Sequence, residues 1–348
     1  MGMDLARSKA FSEQVIEWMR GRGRVLIVAH DNPDPDSLAA AMALKHLILK
    51  RTGQATTIAF GGIIGRGENR VMVRELEIDA IPIEELDLDQ FGVVCLVDTQ
   101  PGTGNNSFPP GRPVHVVIDH HPRRESCATC RWVDIREDYG ACATILYEYL
   151  LAQRVSFGTK LATILFYAIK SETQDLGREG GAADREAYLH LVPLANNRIL
   201  FRITHPKVPR EYFFSYNRAI ENSRIYGKEL LVFNLYEIDN PDIVAEMADF
   251  LLRMEGIEVV LGLGRYHEQG VLSLRTLSGD IPAGEVIGKV VDGMGTAGGH
   301  GMTAGAQIRP MPKDVAHQRE LGMTLARRLQ EVLGRKPVRG RKLIAASD

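Results

Sequence analysis

Thiols are scarce in this chain. Four cysteines in 348 residues cannot build a disulfide framework, which sets the expectation of a reducing cytoplasm. Long apolar runs are missing too: none approaches the roughly 20 residues of a membrane span. The opening MGMDLARSKAFSEQ holds no signal-peptide apolar segment, so no membrane partner is expected. An excess of one charge is also absent, since 42 Lys+Arg face 44 Asp+Glu for a formal net charge of -2. That argues against a whole-molecule grip on long nucleic acid and leaves room only for a local basic cleft. Cys127 and Cys130 stand at CxxC spacing, but a zinc site needs a second ligand pair and only Cys142 or a stray histidine is left. Two small residues entering a strand is the better reading.

What is present is strand and helix in alternation. An apolar, β-branched strand from about Arg24 to Ala29 runs into His30-Asp31-Asn32-Pro33-Asp34-Pro35-Asp36-Ser37. Ser37 is the expected N-cap of a small-residue helix over 38–50. A second strand, 91–97, ends in Asp98, and a third, 113–118, ends in Asp119-His120-His121. Other elements expected are helices at 5–20, 68–76, 139–153, 158–171 and 184–197, with a strand at 55–60 followed by a Gly-rich loop, GGIIGRG. The pattern predicts an α/β fold: a mostly parallel sheet with helices on both faces, then a smaller α/β domain across a cleft. The expected domains are 1–198, a helical linker at 199–226, a second domain at 227–336 and a loose basic tail at 337–348. In the second domain, a strand at 230–237, a helix at 241–255 and strands at 257–266 and 270–277 precede helices at 284–293 and 313–333. A glycine run from Gly293 to Ala306 lies between those helices.

Three strands thus end in metal-ligand residues at their C-terminal ends, the edge where open α/β sheets bind ligands. In an extended, proline-stiffened loop, alternation lets Asp34 and Asp36 face one side, each serving a different cation. A solvated acidic turn with a helix cap explains that stretch equally well. An EF-hand does not, given two prolines, no turn glycine and no closing Glu. Asp98 alone reads equally as a helix cap. Asp119-His120-His121 is harder to explain structurally, because three ionisable groups at the end of a buried strand would be left unsatisfied. Mixed imidazole and carboxylate donors suit Mn²⁺ or Mg²⁺. The amides of the glycine run can cradle phosphate, and Arg275 and His300 add donors, which points to phosphate ester chemistry.

The segments V-A-H-D-N-P-D-P-D-S, L-V-D-T, V-V-I-D-H-H-P and G-G-H-G-M-T-A-G-A resemble, in order and spacing, the motif set of the DHH phosphoesterase superfamily with its DHH-associated C-terminal domain. Within it the chain resembles the nanoRNase / 3′-phosphoadenosine-5′-phosphate phosphatase branch. The resemblance implies two Mn²⁺ ions (Mg²⁺ also suits), with His30, Asp34, Asp36, Asp98 and His120 as ligands and Asp98 as the bridge. It implies catalytic roles for Asp98, His120 and His121, the last contacting the scissile phosphate. Arg275, Gly298, Gly299 and His300 would hold the substrate's phosphate and terminal nucleotide. The sequence departs from the family at the fourth motif, where Glu172 takes the place of an Asp. Glu172 as the last ligand, Asp175 in its stead, and loss of the ligand all stay open. Ala297 also stands where a further Gly is usual.

The function implied is Mn-dependent hydrolysis of short oligoribonucleotides or small nucleotide phosphoesters. A linear or cyclic dinucleotide phosphodiesterase, an exopolyphosphatase and a non-catalytic nucleotide-binding regulator are the alternatives. The partner is short RNA or a small nucleotide, and a homodimer stays open.

Overall fold

The computed structural model describes residues 2–177 and 180–344. The chain divides into two compact units, Met1–Pro206 and Lys207–Asp348. In the first, six strands form one parallel sheet: β1 (Arg24–Val28), β2 (Thr56–Phe60), β3 (Ala80–Pro82), β4 (Phe91–Val97), β5 (Val116–Asp119) and β6 (Trp132–Ile135). Their order is β3-β2-β1-β4-β5-β6. The chain winds outward from β1 in one direction, then from β4 in the other. The reversal leaves a crevice at the C-terminal ends of β1 and β4, which is where such sheets collect ligands.

Strands buried on both faces need continuous apolar runs rather than alternation, and RVLIV and FGVVCLV supply them. Val25, Ile27, Val93, Cys95, Val116 and Ile118 face a core built with the helices. These are α1 (Leu5–Met19), α2 (Pro35–Thr52), α3 (Gly67–Leu76), α4 (Cys142–Ala152), α5 (Thr159–Glu172), α6 (Ala182–Leu191) and α7 (Asn197–Thr204). Leu26, Val28, Val94, Leu96 and Val117 face a second core covered by 3-10 turns and loop residues such as Ile83, Phe108 and Cys127. In α2, Ala39, Ala40, Ala41 and Ala43 are fully buried, and their small side chains let the helix pack close to its neighbours. The helix expected over 184–197 is shorter, because Pro193 removes a helical N–H and α6 gives way to a 3-10 turn at Val192–Leu194.

A buried ion network fixes the corner between β6 and α4. The Arg136 guanidinium donates to Asp134 Oδ2, Glu148 Oε2 and Ser8 Oγ, each at 2.7 Å. Tyr149 and Tyr139 hydroxyls donate to Asp134 and Glu148 at 2.7 and 2.6 Å. Every charge in it is therefore met by an opposite one or by a hydroxyl.

The second unit has α8 (Arg210–Asn222), β7 (Arg224–Tyr226), β8 (Leu230–Glu237), α9 (Asp242–Leu251), β9 (Val259–Tyr266), β10 (Gln269–Thr276), α10 (Ala283–Val290), β11 (Gly295–His300), β12 (Thr303–Ile308), α11 (Val315–Val332) and β13 (Arg341–Lys342). Its seven strands run in the order β11-β12-β10-β9-β8-β7-β13, with only the β8–β9 pair parallel. The glycine run, expected as a loop, is the β11–β12 hairpin. The CxxC residues lie in a 3-10 turn, Glu125–Thr129, and just beyond it, ahead of β6. Among the described residues no helix is long and apolar enough to cross a membrane.

Removing one member of a buried ion network strands the others. Arg136→Met should lower the unfolding free energy by about 3–5 kcal/mol in a urea titration. Arg7→Ala, removing a half-exposed partner of Asp134, should cost under about 1 kcal/mol. Small and equal losses would contradict the role given to the corner.

Candidate metal centre

Beyond β1, His30 is held by its own loop. Its Nδ1 lies 2.9 Å from the Asp31 carbonyl, a contact that places the ring proton on Nδ1. The other nitrogen, Nε2, lies 3.4 Å from Asp34 Oδ1 and 3.6 Å from Asp98 Oδ2. Asp34, not Ser37, is the N-cap of α2, accepting from the Ser37 N–H at 2.9 Å, with Pro35 at the first helical position. Asp36 is therefore in the first helical turn rather than in an extended loop, and the two carboxylates reach different neighbours. Asp36 accepts from the N–H groups of Cys142 and Ala143 at 2.6 and 2.8 Å, at the positive end of α4. Its Oδ2 is also 3.9 Å from His120 Nε2. Asp31 cross-links outward to the Ser107 hydroxyl at 2.8 Å.

Asp98 follows β4 with φ at 57°, a left-handed conformation that aspartate tolerates better than most residues other than glycine. Its N–H donates to the Ile118 carbonyl at 3.0 Å. The carboxylate then lies between two donor groups. On one side are His30 and Asp34; on the other are Asp119, His120 and His121, with ligand atoms within 4.8 Å of one another in each group. Oδ1 is 3.4 Å from His120 Nε2 and 3.6 Å from His121 Nδ1. Oδ1 is buried without a well-formed hydrogen bond.

His120 repeats the design of His30: its Nδ1 lies 3.1 Å from the Tyr139 carbonyl, and Nε2 faces the carboxylates. His121 is oriented by Asp119, whose Oδ1 lies 2.8 Å from His121 Nδ1. The same oxygen accepts from the N–H groups of His120 and His121, and Oδ2 accepts from Gln100 Nε2 at 2.7 Å. Asp119 and Gln100 carry no role in the motif reading, because orienting partners are set by tertiary contacts rather than by spacing. Side-chain exposure separates the two histidines, at 29% for His121 against 7% for His120, so His121 is the one a ligand meets.

The charges are strongly coupled. Burial works against the charged form of His30, but Asp34 and Asp98 outweigh it and raise the pKa to about 10. Asp34 is correspondingly held below the usual carboxylate range, despite its burial, by His30. His120 is raised too, since Asp98 and Asp36 overcome its burial. Burial and the neighbouring Asp98 push Asp36 up. Asp119 resists its burial through His121 and falls to about 2.

At the end of α5, Glu172 lies in the same field: burial and the Asp34 charge raise its pKa to about 7. Asp175 points elsewhere, paired with Lys170 Nζ and accepting from the Tyr188 hydroxyl at 3.0 Å. In the second unit, the Arg275 Nε donates to Asp249 Oδ1 at 2.7 Å, and its Nη1 lies near the Leu274 and Ala304 carbonyls. Gly299 is needed for packing, since a Cβ there would come 2.4 Å from Ala304 Cα, while at Gly298 a Cβ would meet nothing. The side chain of His300 lies outside the described residues, as does Arg178 at the end of the fourth-motif stretch.

Carboxylates that repel one another, imidazoles with Nε2 turned inward, and a buried Asp98 oxygen faced by imidazole nitrogens at 3.4 and 3.6 Å fit hard divalent cations. The fold and donors are thus those of an α/β protein able to hold such ions. Residues 24–169 match the DHH family, N-terminal domain, and residues 227–320 match the DHHA1 domain. The chain belongs to the DHH superfamily. It is 35% identical over 285 residues to the uncharacterized protein MJ1633 of Methanocaldococcus jannaschii, covering 82% of this chain and 58% of that protein. It is 23% identical over 322 residues to the cyclic-di-AMP phosphodiesterase GdpP of Bacillus subtilis, covering 87% and 47% respectively. The chain spans about half the length of these relatives. The structure of an exopolyphosphatase-related protein from Bacteroides fragilis superposes with a TM-score of 0.73, covering 93% of this chain and 98% of that one, at 13% identity. That likeness speaks for the fold alone.

Metal ligands must give up their protons. With His30 raised to about 10 and Glu172 to about 7, Mn²⁺ affinity should rise with pH. Calorimetry in buffers of different ionisation enthalpy should report net proton release near pH ~7. Glu172→Gln should release fewer protons, and Asp175→Asn should match wild type. A pH-independent affinity with no proton release would contradict this arrangement.

Proposed function

We propose that this protein is a metal-dependent phosphoesterase that hydrolyses short oligoribonucleotides or small nucleotide phosphoesters such as 3′-phosphoadenosine-5′-phosphate. One observation carries the reading: Asp98 is shared by two donor groups, His30–Asp34 and Asp119–His120–His121. In this reading His30, Asp34, Asp36, Asp98, His120 and Glu172 hold two divalent cations. Such ions, when bound, neutralise phosphoryl oxygens and lower the pKa of water.

The chain's own residues do the rest. Burial disfavours charge on His121, but Asp119 and Asp98 overcome it and raise its pKa, so the ring carries a proton to donate to a phosphoryl oxygen. Asp119 keeps that ring in one orientation, as Gln100 keeps Asp119. The low accessibility of His120 and Asp98 limits water to the reacting position. The catalytic domain is taken as residues 1–198, with substrate contacts from 227–336. Asp249 and the backbone carbonyls hold the Arg275 guanidinium in one orientation, which suits a rigid phosphate contact.

Similarity to GdpP over 87% of the chain favours one second reading, a linear or cyclic dinucleotide as substrate. A Mn²⁺ assay on two- to five-nucleotide RNA, 3′-phosphoadenosine-5′-phosphate, linear and cyclic dinucleotides and polyphosphate, with product identification, separates the two. Asp98→Asn should lower kcat by about 100-fold or more, because Asp98 would hold both ions and even residues one step further from a metal are worth about 10–100-fold. His121→Ala should lose kcat while keeping its bound Mn²⁺. Wild-type turnover in Asp98→Asn, or no hydrolysis of any substrate, would overturn the reading.

A further inference from the structure

The GGIIGRG segment after β2 has no part in the chemistry above. It leaves the sheet at the same edge as β1 and leads into α3. Three bonds seat it against the metal-gathering loop. The Asn32 N–H donates to the Gly61 carbonyl at 2.9 Å, the Ile63 N–H donates to Asn32 Oδ1 at 3.0 Å, and Asn69 Nδ2 donates to the Pro33 carbonyl at 3.4 Å. The seat tolerates no side chain at its start. A Cβ on Gly61 would come 2.0 Å from Asp31 Oδ1, and one on Gly62, at φ +70°, 2.4 Å from Asn32 Oδ1.

These bonds bracket Arg66, the half-buried residue that precedes the first turn of α3. The backbone beside it is tied down by Arg70, whose Nη1 donates to the Gly65 carbonyl. Along the sheet order, Arg66 follows β2, His30 and Asp34 follow β1, Asp98 follows β4, and His121 follows β5. A phosphoryl group over Asp98 therefore has the loop of His121 on one side and, beyond His30 and Asp34, the tied-down loop of Arg66 on the other. A one-phosphate ester uses only the first; a substrate with a neighbouring phosphate uses both.

Resting on the phosphoesterase reading, we propose that Arg66 is a specificity-determining residue that binds a second phosphoryl group of the substrate. The class selected is a nucleotide ester carrying a phosphate close to the scissile one. Guanidinium suits this because its planar fork meets phosphate oxygens in a bidentate way.

The test uses the full chain loaded with Mn²⁺ and two probes, adenosine 5′-(α,β-methylene)diphosphate and adenosine 5′-monophosphate, with binding followed by calorimetry. Wild type should prefer the two-phosphate probe by about tenfold or more, the scale of one charge-assisted pair. Arg66→Gln should cut that preference to about twofold or less while leaving the monophosphate affinity and the Mn²⁺ content in place. Arg66→Lys should retain part of the preference. Arg74→Gln, which removes the same charge from the far end of α3, should retain all of it. The proposal is overturned if Arg66→Gln keeps the preference, weakens both probes equally or loses Mn²⁺, or if wild type shows no preference. Loss of the phosphoesterase reading shows separately, as a binding preference without hydrolysis of any substrate.

Discussion

Everything at the C-terminal edge of the first sheet depends on one carboxylate shared by two sets of imidazole and carboxylate neighbours. Asp98 faces His30 and Asp34 on one side and His120 and His121 on the other, with Asp36 and Glu172 close enough to shift the same titrations. Such a gathering of acids in a buried place is unfavourable unless positive charge meets it. In the ion-free chain, protons on His30 and His120 supply that charge. In the proposed reading divalent cations would replace them with more charge in less space, and the repulsion among the acids would become affinity for the ions.

The fold spends its nearby structure on holding this edge still. Carbonyls of Asp31 and Tyr139 fix the Nδ1 atoms of His30 and His120, so both Nε2 atoms turn inward. The N-terminus of α4 anchors Asp36. Tyr139 and the start of α4 belong to the corner locked by Arg136, Asp134 and Glu148. A network outside the site thereby sets the geometry of Asp36 and His120, two of the proposed ligands, which links stability to the proposed function.

Much of this edge was legible in the sequence. Apolar runs ending in His30, Asp98 and Asp119-His120-His121 mark strand ends on sight, and the structure brings those residues together. The choice between Glu172 and Asp175 was not legible, because both fit within one turn of a helix end. In the structure Asp175 is engaged by Lys170 and Tyr188, while Glu172 lies in the field of Asp34. The orienting roles of Asp119 and Gln100, the cap role of Asp34 and the pairing of Arg275 with Asp249 are tertiary facts with no spacing signature. The glycine run misled as a loop because glycine is read as a strand breaker. Here antiparallel pairing with β12 makes it a strand, and Gly299 fits against Ala304 because it has no side chain.

Whether one carboxylate serves two cations is read from electron paramagnetic resonance of the Mn²⁺-loaded chain. Two ions sharing Asp98 should give an exchange-coupled spectrum at two Mn²⁺ per chain, which reverts to a mononuclear signal in Asp98→Asn. A mononuclear six-line spectrum from wild type at saturating Mn²⁺ would contradict the account.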